Sequence, residues 1–239
     1  MPQPARIRAE VAHIEDHAPG VRSLVLATER AVPRFQPGQF MHLAIDPYDP
    51  ASYWPDSRVF SIASPPQLRS EIRITISAVG AFTWRIMSLK KGDEVWVKLP
   101  YGDFVVEPLP GKGIVLVAGG TGITPFISLL ASDAPELGPM SVLYGVRRTE
   151  LLVYTEVLEA AQQRWPHFRW HAYVEEGAPA WASPGRLSVS TALSAAEEMD
   201  GTRDAVYYLS GPPEMLKSLK EGLIQAGILA NQIRIDAWE

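Results

Sequence analysis

A glycine-rich turn near the middle of the chain has the residue types that bind phosphate groups. The sequence Gly119-Gly120-Thr121-Gly122 follows the apolar run Ile-Val-Leu-Val and leads into Thr124-Pro125. Glycine allows positive φ and a close approach of a ligand to the backbone, and the N–H groups at a helix start attract a pyrophosphate. We therefore expect Gly119, Gly120, Thr121, Gly122 and Thr124 to bind a dinucleotide, although a tight turn without a ligand has the same pattern.

A second turn with this chemistry is Ser210-Gly211-Pro212-Pro213, which follows the apolar run at 206–209. In a parallel sheet the turns after the strands lie at the carboxyl edge, where ligands bind. We expect this turn to place the Ser210 hydroxyl beside a nicotinamide, with Gly211 and Pro212 in contact with the coenzyme. The alternative is a rigid helix start that binds nothing.

The first half contains a strand-like segment, Arg58-Val59-Phe60-Ser61, whose side chains suit a planar, phosphorylated cofactor. Arg58 could pair with a diphosphate, the Phe60 ring could pack on the cofactor plane, and the Ser61 hydroxyl could reach a flavin N5 atom. A half-buried edge strand with a surface arginine would look the same.

The segment Gly80-Ala81-Phe82-Thr83 combines small residues with a hydroxyl at the start of a predicted helix. Such a segment forms a concave set of N–H groups that binds anions. We expect these four residues to contact a flavin phosphate. A plain helix cap by Thr83 is the alternative, since threonine is commonly used in this way.

The elements that must position these segments divide the chain in two. Before about residue 108, short alternating segments separated by Pro/Gly turns predict an antiparallel β-barrel. Beyond it, apolar strands alternate with amphipathic helices, which predicts a parallel α/β sheet covered on both faces. We therefore expect domains at 1–109 and 110–239. The predicted strands are 6–15, 21–27, 39–45, 58–63, 71–78, 94–99, 114–118, 141–144, 168–174, 206–209 and 233–237, and the predicted helices are 82–89, a helix ending at 130, 152–164 and 214–226.

Composition excludes several classes of function. The 239 residues carry a net charge of −5, which argues against nucleic-acid binding because phosphate neutralisation needs clustered Lys and Arg. There is no cysteine, so the chain cannot hold a disulfide, a thiolate zinc site or a cysteine-ligated iron–sulfur cluster. The histidines show no metal-binding pattern. With no apolar leader and no run long enough to span a bilayer, we expect a cytoplasmic protein.

Taken together, the motifs resemble the ferredoxin–NADP reductase family, in its compact bacterial form without a fused iron–sulfur domain. The resemblance covers essentially the whole chain and depends on five segments in family order. These are Arg58-x-Phe60-Ser61, Gly80-x-Phe82-Thr83, Pro100-x-Gly102-x-Phe104, Gly119-Gly-Thr-Gly-Ile-Thr-Pro125 and Ser210-Gly-Pro-Pro-x-Met215.

The resemblance implies a flavin-binding barrel packed on a nucleotide-binding domain, with hydride passing from nicotinamide C4 to flavin N5. It implies catalytic roles for Ser61, Ser210 and Asp236, and it places Trp238 over the flavin until nicotinamide displaces the ring. The alternative for Asp236 and Trp238 is a strand end packed in the core. Two positions depart from the family pattern: Ser210 stands where cysteine is usual, and Phe60 stands where tyrosine is commoner, which loses a phenol hydrogen bond.

The resemblance also implies FAD, with FMN left open, and NADH or NADPH as co-substrate. Arg147 and Arg148 could bind a 2′-phosphate or could belong to a solvated loop. Glu175 and Glu176 would repel a 2′-phosphate, so NADH is slightly favoured. Because the chain has no cluster of its own, we expect a separate one-electron acceptor protein such as a ferredoxin, a haem protein or an oxygenase. Two alternatives are a reductase of free flavin and a noncatalytic electron-transfer or nucleotide-sensing subunit of a larger complex.

Overall fold

A computed structural model describes residues 4–107, 111–200 and 204–236. The described residues fall into two compact units. The first runs up to Val105 and includes Thr124–Asp133, and the second contains Val106–Ile123 and the residues from Ala134 onward. The boundary predicted at residues 109 and 110 lies outside the described residues and stays a prediction.

The first unit is built on one curled antiparallel sheet with a short helix, α1 (Ala81–Ile86). Its strand order is β4-β3-β6-β1-β2-β5. The antiparallel β architecture predicted from the sequence is confirmed, with the sheet forming a half-barrel. No ladder joins the edge strands β4 and β5, and instead the Ala63 N–H donates to the Arg73 carbonyl at 2.8 Å. The strands are β1 (Ala5–Ala18), β2 (Val21–Thr28), β3 (Phe40–Ala44), β4 (Ser57–Ser61), β5 (Glu71–Ser77) and β6 (Glu94–Tyr101).

Alternation of side chains along these strands builds the core of the half-barrel. Every second residue of β5, for example, is an isoleucine, and these isoleucines are fully buried while the residues between them face the other side. This follows from the two-residue period of a strand. The core residues without exposed surface include Ile7, Leu24, Leu26, Met41, Leu43, Ile72, Ile74, Ile76, Val97 and Leu99.

A half-buried arginine, Arg22, fixes the segment that follows α1. Arg22 Nη1 donates to the carbonyl oxygens of Met87 at 2.8 Å and Leu89 at 3.2 Å, which satisfies carbonyl groups left open at a helix end. The same guanidinium pairs with Asp16, with Nε 2.6 Å from Oδ1 and Nη2 2.9 Å from Oδ2. The sheet therefore holds the helix that carries the predicted phosphate segment.

The second unit is a parallel α/β sheet with the strand order β10-β9-β8-β7-β11-β12, which confirms the predicted fold class. A 3-10 turn (Gly120–Ile123) follows the first strand and leads into α2 (Thr124–Leu130), a helix that groups with the first unit. The strands are β7 (Gly113–Gly119), β8 (Met140–Arg148), β9 (Phe168–Glu176), β10 (Ser183–Pro184), β11 (Ala205–Ser210) and β12 (Ile233–Ile235), and the helices are α3 (Thr155–Arg164), α4 (Val189–Asp200) and α5 (Pro213–Gln225).

The sequence prediction missed helix α4 and shortened β8. The loop glycines and prolines before α4 hid its start, yet Ser188 stands directly before the helix and its Oγ accepts the Thr191 N–H at 3.2 Å. A serine in this position is the usual helix-start signal. The buried face of the helix is rich in alanine, since Ala192, Ala195 and Ala196 are all buried.

Among the described residues, no helix is both long and apolar enough to cross a membrane.

Candidate functional site

Two glycines, Gly120 and Gly122, shape the turn after β7 for different structural reasons. Gly120 has φ of +55°, and a Cβ atom placed there would meet nothing within 4 Å, so this part of the turn is open. At Gly122 a Cβ atom would lie 2.5 Å from the Ser210 carbonyl oxygen and 2.6 Å from the Gly211 nitrogen. Gly122 is therefore required because its backbone touches the backbone at Ser210 and Gly211. The sequence alone had attributed this glycine only to the close approach of a ligand.

The turn after β11 packs against the turn after β7. Gly211 has φ of +150°, and an added Cβ atom would lie 3.0 Å from the Gly119 Cα atom. In the sheet Ser210 is registered with Ala118, so the two turns leave the sheet side by side. The structure thus brings together two segments that the sequence had only suggested were related.

These turns lie where the order of the sheet reverses. The chain runs from β7 outward through β8 to β10 and then returns to the other side of β7 as β11. In open parallel sheets, ligands bind outside the carboxyl ends of the strands at such a switch point. The arrangement fits a dinucleotide, whose pyrophosphate would find the backbone N–H groups around Gly120.

Ser210 and Asp236 form a buried pair at the same edge. The Ser210 hydroxyl donates to Asp236 Oδ2 at 2.9 Å, and only 2% of Ser210 and 5% of Asp236 is exposed. Burial raises the pKa of the Asp236 carboxyl to about 7, and the hydrogen bond from Ser210 partly opposes this rise. Two of the three predicted catalytic residues are therefore in direct contact, while predicted Trp238 lies outside the described residues.

The arginines predicted to clamp a 2′-phosphate already have carboxylate partners. Arg147 Nε lies 2.9 Å from Glu176 Oε1, and Arg148 Nε lies 3.0 Å from Glu150 Oε1. Glu175 is in turn paired with Arg186 at 2.7 Å. All of these side chains are at least partly exposed, so the region beyond β8 and β9 is a network of balanced surface charges.

In the first unit, Arg58 connects two predicted flavin segments. Its Cζ atom lies 5.0 Å from the centre of the Phe82 ring, within the range of a cation–π contact. Arg58 Nη1 also donates to Asp56 Oδ1 at 2.6 Å and to the Ser57 carbonyl at 2.8 Å. Arg58 and Phe60 share one side of β4, because they are two residues apart, and Phe60 packs against the half-barrel core.

The Thr83 hydroxyl is engaged at the start of its own helix. It accepts the N–H groups of Val79 and Gly80, each at 3.0 Å, and donates to the Gly80 carbonyl at 2.9 Å. This is the geometry of the capping alternative. Gly80 and Ala81 are exposed, and a Cβ atom at Gly80 would meet nothing within 4 Å, so the surface beside the cap is open. A phosphate contact by Thr83 stays a prediction.

Ser61 is buried at the end of β4 beside an aromatic cluster that sequence reasoning missed. Its register partner is Phe40, whose ring stacks on Tyr101 at a centroid distance of 5.8 Å. His42 contacts Tyr101 edge-on at 4.8 Å, and its pKa is lowered by burial and by the nearby Lys98. The signal for this cluster was the alternation of ring-bearing residues on the same side of β3.

The Pro100-x-Gly102-x-Phe104 segment is held in place by Gln39. Gln39 Nε2 donates to the Gly102 carbonyl at 2.8 Å, and its Oε1 accepts the Gln36 N–H at 2.9 Å. Gly102 has φ of +90°, and an added Cβ atom would lie 2.7 Å from the Phe40 ring. The glycine is required here by both its conformation and the lack of space.

Across the described parts of the chain, no group of three His, Asp or Glu side chains is arranged to hold a metal ion.

One stretch of the chain is similar to a known domain model. Residues 116–221 match the model of the oxidoreductase NAD-binding domain, and this stretch contains both the turn after β7 and the turn after β11.

Relatives and solved structures match a longer part of the chain. It is 27% identical over 211 residues to terephthalate 1,2-dioxygenase reductase component 1 from Comamonas sp., an alignment that covers 86% of this chain and 60% of the relative. It is 28% identical over 239 residues to the reductase component of phenol 2-monooxygenase from Pseudomonas sp. (strain CF600), covering 97% of this chain and 65% of the relative. The chain thus spans less than two thirds of the length of these relatives.

The fold matches a ferredoxin NADP+ reductase from Neisseria gonorrhoeae solved with bound FAD and NADP, with a TM-score of 0.79, 20% identity and 99% of each chain covered. The resemblance inferred from the sequence is confirmed by these matches, as is the predicted fold class. The assignment of individual site residues stays a prediction.

Proposed function

We propose that this chain belongs to the ferredoxin–NADP reductase-like family, accepts hydride from a nicotinamide coenzyme onto a bound flavin and passes electrons to a separate acceptor. One observation carries the proposal: the turn after β7 and the turn after β11 meet at the switch point of the parallel sheet, with the buried Ser210–Asp236 pair beside them. Flavin when bound would supply two-electron uptake with one-electron release.

The first unit supplies groups that suit a flavin. Arg58 is exposed enough to leave Asp56 for a diphosphate, and Phe60 offers a half-buried ring on the same side of the strand. Ser61 would offer its hydroxyl to the N5 atom. The exposed backbone at Gly80 and Ala81, with Phe82 and Thr83, would complete the phosphate contacts. We propose FAD over FMN, in line with the solved relative that binds FAD.

The turns after β7 and β11, with the first residue of α2, supply the coenzyme contacts. Backbone N–H groups at Gly119, Gly120, Thr121, Gly122 and Thr124 would bind the pyrophosphate and ribose, since glycine lets the ligand approach closely. Gly211 and Pro212 would border the nicotinamide, and Ser210 would orient it. Because Ser210 is 2% exposed, the nicotinamide reaches it only after neighbouring groups move. Displacement of Trp238 from the flavin by the nicotinamide is a separate prediction.

We propose NADH as the preferred coenzyme. A 2′-phosphate would have to compete with Glu176 for Arg147 and would lie near Glu175. A ribose hydroxyl, by contrast, can donate to a carboxylate, as in many NAD sites. The charge balance of this region therefore favours the coenzyme without the extra phosphate.

We propose a one-electron acceptor on a separate protein, such as a ferredoxin, a haem protein or an oxygenase, and a cytoplasmic location. The relatives are reductase components of oxygenase systems, and this chain has no cysteine with which to ligate an iron–sulfur cluster. The acceptor must then bring its own redox centre.

The proposal is tested by purifying the chain, adding FAD or FMN, recording the visible spectrum, and titrating anaerobically with NADH and then NADPH. We expect a yellow protein that retains FAD through gel filtration and is bleached by stoichiometric NADH. Steady NADH consumption with ferricyanide would show turnover by the isolated chain. A protein that never takes up flavin would overturn the proposal, and one that loses flavin on the column would favour a free-flavin reductase.

A further inference from the structure

Strand register holds Ser210 and Asp236 in one arrangement. Ser210 ends β11, and Asp236 follows β12, which runs parallel beside it with Leu209 registered to Ile235. The Asp236 N–H donates to the Leu209 carbonyl at 2.9 Å. The 2.9 Å contact between the Ser210 hydroxyl and Asp236 Oδ2 is therefore fixed by the backbone of two neighbouring strands.

The donor direction of this contact decides what Ser210 can offer a ligand. A serine hydroxyl has one proton and two acceptor lone pairs, and an ionised carboxylate can only accept. While Asp236 is ionised, the proton of Ser210 is committed to it, and a ligand meets only lone pairs. Once Asp236 is protonated, its own proton can go to the serine oxygen, and Ser210 is released to donate elsewhere.

We propose that Asp236 is a positioning residue that fixes the direction of the Ser210 hydroxyl and so presents an oxygen lone pair to the nicotinamide. The inference is based on the proposed function, which it deepens. The lone pair would accept from the carboxamide N–H of the coenzyme. The negative charge of the pair would also favour the positive charge that the nicotinamide ring gains as it gives up hydride.

The surroundings of the pair make its protonation state relevant near neutral pH. The pKa of Asp236 is raised to about 7 because the carboxyl is buried, and the Ser210 hydrogen bond holds it from rising further. No charged side chain in the described part of the chain contributes to this shift, and the neighbours Leu209 and Ile235 are apolar. Glu239 and the chain end lie outside the described residues.

The first test needs no catalysis. Infrared spectroscopy measures the signal of the protonated Asp236 carboxyl as a function of pH, in the wild-type protein and in Ser210→Ala. The Asp236→Asn variant lacks this carboxyl and therefore assigns the signal. Loss of the hydroxyl removes a bond that favours the ionised form, so we expect the titration of Asp236 to move to higher pH in Ser210→Ala. Asp204→Asn is the matched control, since Asp204 pairs with Lys112 at the surface and should leave the signal in place.

The second test follows flavin reduction by NADH in a stopped-flow instrument. We expect Ser210→Ala and Asp236→Ala each to slow the step about 10-fold, because each variant loses the Ser210–Asp236 contact and a 10-fold change corresponds to one lost hydrogen bond. Because Asp236 acts through Ser210, the double variant should also be slowed about 10-fold and not 100-fold. The pH dependence near neutrality should be present in the wild-type protein and absent in Asp236→Asn.

Two results would overturn the inference: an unchanged infrared titration in Ser210→Ala, or rate effects that multiply in the double variant. Ser210→Cys serves as a check on folding, because it keeps the side-chain size while weakening the hydrogen bond. If no variant takes up flavin, the proposed function fails, while the infrared titration still decides whether the pair controls the proton.

Discussion

The backbone of Gly122 touches the backbone of Ser210, so closely that a single methyl group at Gly122 would lie 2.5 Å from the Ser210 carbonyl oxygen. Backbone atoms cannot move aside as a flexible side chain can. The contact fixes the spacing between the turn after β7 and the turn after β11, and hence the position of the Ser210–Asp236 pair relative to the predicted pyrophosphate contacts.

Replacing Gly122 with alanine should lower the free energy of unfolding by about 1–3 kcal/mol, the usual cost of overpacking, and should weaken coenzyme binding. Gly120→Ala is the matched comparison in the same turn. The added methyl group would have open space there, so the variant is destabilised only by the positive φ, by about 1–2 kcal/mol. Urea unfolding gives the stabilities and NADH titration gives the affinities. Equal loss of coenzyme affinity in the two variants would contradict a special role for the contact at Gly122.

The fold was largely predictable because its periodicities are local. The two-residue alternation in β5 and the apolar run of β7 both appear in the sequence and in the structure. Helix α4 was missed since its signals are weak: its apolar face consists mainly of alanines, and its Ser188 cap follows a loop rich in Gly and Pro.

The site was predictable as a set of segments but not as a set of contacts. Sequence reasoning placed Arg58 and Phe82 in separate motifs, whereas their side chains meet at 5.0 Å. Asp56 was not singled out at all, because an exposed acid in a proline-rich loop has no distinguishing pattern. Pairings such as Arg58 with Asp56, or Arg147 with Glu176, depend on rotamers that the sequence does not encode locally.

Asp56 should compete with a flavin phosphate for Arg58. Removing its charge in Asp56→Asn frees the guanidinium, so we expect flavin to bind the apoprotein a few-fold more tightly, in keeping with the roughly 0–1 kcal/mol of an exposed ion pair. Arg58→Ala should weaken binding. Asp49→Asn in the same loop is the control, since the Asp49 carboxylate accepts the nearby Ala51 N–H at 2.9 Å and Asn can keep this contact. Quenching of flavin fluorescence measures the affinities, and an unchanged affinity in Asp56→Asn would refute the competition.

Coenzyme preference should respond to the carboxylates beyond β9. The double variant Glu175→Gln/Glu176→Gln frees Arg186 and Arg147 from their partners, so NADPH should gain about 10-fold in affinity relative to NADH at low salt, with less gain at high salt. Glu159→Gln, an exposed change on α3, should leave the ratio as it is. Comparison of kcat/KM for the two coenzymes gives the ratio. A ratio that does not move would place the 2′-phosphate elsewhere.

The Asp16–Arg22 pair should stabilise the first unit in a pH-dependent way. The hydrogen bond from Arg22 lowers the pKa of Asp16, so the folded state favours the ionised carboxylate. The resulting stability is present above the unfolded pKa of about 3.9 and is lost as pH falls through the lower folded value. Asp16→Asn should therefore lower Tm at pH 7 and converge with the wild-type protein at low pH. Glu10→Gln, an exposed change on the same strand, should show no such convergence.

Asp236 should make stability depend on pH in the opposite direction. Its pKa is about 7 in the folded protein and about 3.9 in an unfolded chain, so the folded state binds the proton more tightly. The stability from this difference, on the order of a few kcal/mol, is fully present below about pH 4 and is lost as pH rises through about 7. Asp236→Asn keeps an acceptor for Ser210 and carries no charge, so its unfolding free energy should vary less over this interval. Any contribution from His42 is common to both proteins and cancels in the difference. Urea unfolding at pH 5 and pH 8 measures the effect, and parallel pH profiles for the two proteins would mean that Asp236 is ionised in the folded state at both pH values.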